Sequence, residues 1–118
     1  MGLFGKRQRP PEVRTERKIR FVGEQDGPPE RDLKELLVPE LVSSAVKRAY
    51  LARVAYDDAS SQDVALCVRG TESVALVRTV AAHFATVFGR ETHLDILFLT
   101  EPQERELSRV CRAFYGAV

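Results

Sequence analysis

From Val46 to Tyr56 the chain reads VKRAYLARVAY, and apolar side chains fall on both of its alternating sides. Successive residues of a strand point to opposite faces, so a sheet with one wet face shows a clean alternation of apolar and polar positions. This stretch does not. Tyr50, Ala52, Val54 and Tyr56 share one parity, while Ala49, Leu51 and Ala55 share the other. Both faces of any sheet built on it must be covered.

The rest of the chain supplies the covers. KIRFV at 18–22 alternates Ile19 and Phe21 with Lys18 and Arg20, as a half-buried strand does. GEQDGPPE then reads as a turn. Leu33, Leu36 and Leu37 recur at helical spacing over 31–37, and Pro39 is expected to open a second short helical segment. After the strand at 47–56, DDASSQD turns into a partner strand at 64–69. A helix over 72–88 follows, with Val77, Ala81, Phe84 and Phe88 along one face, Thr71 as cap and Gly89 as stop. HLDILFL at 93–99 is a last strand, with Leu94, Ile96 and Phe98 on one side and Leu97 and Leu99 on the other. Pro102 opens a terminal helix on which Leu107, Val110, Cys111 and Phe114 share a side. The order predicts an α+β fold, a split β-α-β-β-α-β antiparallel sheet of ferredoxin-like topology with an additional C-terminal helix. Either that helix or another protein surface closes the second face; its own apolar stripe favours the helix.

At 118 residues, with 44% hydrophobic and 30% charged side chains, the chain is long enough for one core. Its charge is unevenly spread. Residues 1–20 hold seven basic side chains against Glu12 and Glu16, a net +5, and the remainder is net −4. Pro10-Pro11 within that segment suits a solvated leader, so residues 1–16 are expected to be a flexible basic arm and 17–118 a single domain. No apolar run is long enough to cross a bilayer, and MGLFG passes at once into KRQR, unlike a signal peptide. The expected location is cytoplasmic, where Cys67 and Cys111 serve as buried small hydrophobes.

Candidate chemistry is sparse. His83, His93 and the two cysteines have no metal-site spacing, so neither a metal nor another cofactor is expected. Asp57 and Asp58 suit turn capping better than paired acid–base work. Asp95 stands in an apolar strand and needs an edge, an exposed face or a partner such as Arg53 or Arg69. There is no phosphate-binding glycine motif. The strand DVALCVRG offers no aromatic for base stacking, which argues against a nucleic-acid partner. Tyr50 and Tyr56 could present a small platform, although tyrosines beside packing helices usually belong to a core with the hydroxyl at its rim.

VKRAYLARV, the strand LDILFL at 94–99 and the terminal Phe114-Tyr115, in this order around a hairpin and a helix, resemble the C-terminal domain of SseB, the enhanced-serine-sensitivity family of bacterial proteins. The resemblance covers roughly 18–116 and implies a small bacterial cytoplasmic α/β module with no established catalytic residues. The longer members' separate N-terminal domain has no counterpart in these 118 residues. The function expected is a non-enzymatic interaction or adaptor module that binds a protein partner or a second copy of itself, with Tyr50, Arg53, Tyr56, Arg69 and Asp95 as interaction candidates. An amino-acid or related metabolite sensor is the alternative.

Overall fold

The computed structural model describes residues 18–57, 61–89 and 94–116; the expected basic arm, the middle of the DDASSQD turn and His93 lie outside them. Among the described residues four strands and three helices follow one another as β1 (Ile19–Glu24), α1 (Pro28–Val42), β2 (Val46–Tyr56), β3 (Asp63–Gly70), α2 (Val74–Phe88), β4 (Asp95–Phe98) and α3 (Glu101–Leu107).

The mixed α+β class and the order of elements agree with the sequence reading, but the sheet is not the all-antiparallel split arrangement. The strands lie in the order β1-β2-β3-β4, with β1/β2 and β2/β3 antiparallel and β3/β4 parallel. The reason lies in the first connection. β1 stops beside Ala52, halfway along β2, and Gln25 still donates to the Leu51 carbonyl. β2 begins six residues earlier, at Val46, about 20 Å away at strand rise. The 15 residues of α1 span about 22 Å at helical rise. The helix thus runs out alongside the overhanging half of β2, and the chain returns as β2 next to β1. No strand fits between them. α2 makes the one true crossover and sets β4 parallel to β3.

α1 is a single helix, where two segments had been expected. Pro28 and Pro29 occupy its first turn, where an amide donor is not required. Pro39 removes one intrahelical bond on the exposed side, leaving the exposed Glu35 carbonyl open to water. The cap of α2 is Ser73, whose side chain accepts from the Leu76 amide at 3.1 Å, and the helix ends at Gly89 as expected.

Each face has its own core. On the first, Leu33, Leu37 and Leu41 of α1 and Leu76, Val80 and Phe84 of α2 pack on Ala49, Leu51, Leu66 and Val68. On the second, Tyr50, Ala52, Val54, Tyr56, Ala65 and Cys67 meet Leu99, Leu107 and Cys111. α3 therefore covers the second face. It is shorter than the apolar stripe suggested, ending at Leu107, with Val110 exposed and Phe114 carried round to the first core. The tail passes the end of β1: Phe114 donates to the Ala49 carbonyl at 2.9 Å and Ala49 to that of Tyr115 at 3.1 Å. Gly116, at φ +74°, follows so close to the strand that a Cβ would stand 2.0 Å from the Lys47 carbonyl oxygen.

Leu107→Ala should lower the free energy of unfolding by roughly 2–5 kcal/mol, comparable with Leu37→Ala in the opposite core, in urea denaturation. A loss below about 0.5 kcal/mol, the scale of a surface change, would mean that α3 does not hold the second face.

Candidate functional site: the Glu104 clamp and the β1 edge

The register of β2 against β3 sets Arg48 directly opposite Arg69. Like charges facing each other across a strand pair destabilise it, so this position needs an anion. α3 delivers one. Leu99, whose amide donates to the Val68 carbonyl at 2.8 Å, ends the run of β4. Thr100 then caps the helix with a reciprocal box: its hydroxyl accepts from the Gln103 amide at 3.3 Å, and its amide donates to the Gln103 side chain at 2.8 Å. One residue further on, Glu104 points inward and is 8% exposed.

Its carboxylate is saturated. Arg48 Nε donates to Oε2 and Arg48 Nη2 to Oε1 at 3.0 Å, a two-pronged contact. Tyr50 Oη donates to Oε2 at 2.6 Å. Arg69 Nε lies 3.1 Å from Oε1 as an ion pair without hydrogen-bond alignment, while Arg69 Nη1 donates to the Leu99 carbonyl at 3.2 Å. The Arg48 hydrogen bonds chiefly, against the desolvation that opposes them, hold the Glu104 carboxyl down at about 2. Burial, then the bond to Glu104, pushes the Tyr50 phenol up to about 12. Burial likewise raises the Cys67 thiol and brings that of Cys111 to about 12. At neutral pH the carboxylate is ionised and the phenol and both thiols are protonated. None of these groups is poised to exchange a proton there.

The residues singled out from the sequence fall into three places. Tyr50 and Arg69 belong to the clamp. Tyr56 is also buried and donates from Oη to Asp95 Oδ2 at 2.6 Å, across the same face. Asp95 thus accepts from a tyrosine, and Arg69 is engaged elsewhere. Tyr50 and Tyr56 lie beneath α3 as core residues and present no exposed platform. Arg53 stands apart, exposed, with its guanidinium over β1: a Cβ on Gly23 would be 2.8 Å from Nη2. Arg48 and Glu104 were missed. The available signal was the spacing of Glu104, Leu107 and Cys111, which sets a carboxylate on the apolar stripe of the last helix.

The other notable feature is the outer edge of β1. Among the described residues no strand pairs with it. Beside it Lys18, Ile19, Arg20 and Phe21, with Asp57 and the α3 side's Glu106, Arg109 and Val110, line an open groove of about 560 Å3. Ile19 and Phe21 are only half-buried and Val110 is exposed. Among the described residues no cluster of three or more His, Cys, Asp or Glu could hold a metal, and no helix is long and apolar enough to cross a membrane. No family model, curated protein or solved structure matches the chain.

A carboxyl depressed in the folded state stabilises fully above its ordinary range, near 4.5, and that contribution is lost as pH falls towards about 2. Glu104→Gln should therefore flatten the acid limb of the stability profile over this window. At neutral pH it should cost roughly 1–3 kcal/mol, because two guanidiniums lose their counter-ion. Parallel pH profiles for the variant and the parent would contradict the clamp.

Proposed function

We propose that this chain is a non-enzymatic protein-interaction or adaptor module and that its contact surface is the β1 edge with the adjoining α3 groove. One observation carries the reading: a strand edge that no other strand pairs among the described residues lies beside half-buried Ile19 and Phe21 and exposed Val110. Unpaired strand edges are templates for another chain, which proteins either protect or use. The interior supports the same view from the other side. The ionisable groups of the second core are spent on one another, with Glu104 on Arg48, Arg69 and Tyr50, and Asp95 on Tyr56. Their titrations, where shifted, move away from neutrality, unlike those of general acids and bases.

The resemblance to the SseB C-terminal domain points the same way, towards a small bacterial cytoplasmic module. In this reading the tyrosines expected to make contact act indirectly, by fixing α3 and hence the wall of the groove. The groove is open, which suits an extended polypeptide better than a small metabolite, whose sites are enclosed.

Val110→Asp changes the groove while its residue is already 42% exposed, and Val74→Asp makes the same change at a position 69% exposed on α2. In quantitative capture from native cells, a stoichiometric partner should be retained by Val74→Asp and lost with Val110→Asp. Equal retention by both would remove the groove from the interface, and equal recovery of the protein alone from every form would count against the module.

A further inference from the structure

We infer that the β1 edge takes an extended acidic segment of another protein, added as a fifth strand whose side chains alternate between acidic and apolar. This rests on the interaction-module reading and specifies its partner. Lys18 turns its backbone towards Asp57, accepting from the Asp57 amide at 2.7 Å and donating to Oδ1 at 2.9 Å. Strand alternation then turns the backbone groups of Ile19 and Phe21 outward, to the outer edge of the sheet.

The two sides of that edge differ in chemistry. Ile19 and Phe21 lie on the second face, packed against the core under α3, and the groove continues from them to Val110. On the first face, Arg20 stands opposite Ala55, and Arg53 lies diagonally across from it with its guanidinium over Gly23. Lys18, two residues before Arg20, completes a row of exposed cations. Among the described residues, the side chains of Lys18, Arg20 and Arg53 form no ion pair. A strand laid along β1 would set alternate side chains over these cations and the others over Ile19, Phe21 and Val110. Carboxylates suit the first set, because guanidiniums bind them through paired hydrogen bonds. Aliphatic groups suit the second.

Charge also selects against other occupants. Glu24, the one acidic residue of β1, is already engaged by Lys34 at 3.8 Å and by the Arg112 amide at 3.1 Å, so a second copy would meet an edge of like sign. The exposed cations Lys18, Arg20 and Arg53 favour an anionic segment along β1.

The test uses the full chain and three fluorescent probes: a Val–Glu repeat peptide, the same peptide with Gln for Glu, and a single-stranded oligonucleotide. The acidic peptide should bind at least about tenfold more tightly than the Gln form at low salt, with the advantage shrinking as salt rises. It should also slow amide exchange at Ile19 and Phe21. Combined Arg20→Gln and Arg53→Gln, both at exposed positions, should remove most of the advantage without changing Tm. Equal binding of the two peptides, an advantage that survives the double variant, or tighter binding of the oligonucleotide would overturn the inference. Loss of a captured partner with Val110→Asp, alongside failure of the acidic peptide, would reject the partner chemistry and leave the module reading standing. Failure of both would reject both.

Discussion

Two arginines facing each other across β2 and β3 are unstable neighbours until Glu104 lies between them. That single carboxylate ties α3 to the β2/β3 hairpin. A helix of seven residues has little stability of its own, and its inward face offers only Leu107 besides Glu104 before the chain leaves helical geometry. Charge pairing fixes where α3 lands, and the cap at Thr100 fixes how it starts. From there Cys111 reaches the second core and Phe114 the first. The tail crosses from one face to the other through the gap that β1 leaves by stopping beside Ala52. The sheet's second face, the C-terminal segment and the wall of the β1 groove all depend on the same ionic contact.

Much of this was legible in the order of residues. The double-sided apolar pattern of VKRAYLARVAY requires two covered faces, and two cores are present. Element order and the parity of Leu94, Ile96 and Phe98 against Leu97 and Leu99 could be read from period alone, because side-chain direction in a strand is a local property. Strand order could not. It turned on the match between the length of α1 and the overhang of β2, and neither is visible until β1 is known to end beside Ala52. The fused α1 has a similar cause: Pro39 faces solvent, so its missing bond costs less than breaking the Leu33–Leu37–Leu41 stripe would.

The site was half legible. Tyr50, Tyr56, Arg69 and Asp95 were recognisable as polar groups in apolar strands, and all four take part in the second face's polar contacts. Which partner each would choose depended on register. Asp95 was paired in expectation with an arginine from a neighbouring strand, yet Arg69 faces Arg48 and is claimed by Glu104. Arg53, grouped with the others from sequence, lies on the opposite face, with its guanidinium over Gly23. The molecule thus divides its charges. Those on the second face close the fold, and Lys18, Arg20 and Arg53 beside the β1 edge form no ion pair among the described residues.

The most direct test of this account is a double-mutant cycle on Glu104→Gln and Arg69→Met, read by urea unfolding at neutral pH. If the carboxylate relieves the facing arginines, the two changes should be strongly coupled, by about 1 kcal/mol or more, because removing Arg69 also removes part of the need for the anion. Costs that add to within about 0.3–0.5 kcal/mol, as for independent sites, would contradict the clamp as the constraint on which the second face depends.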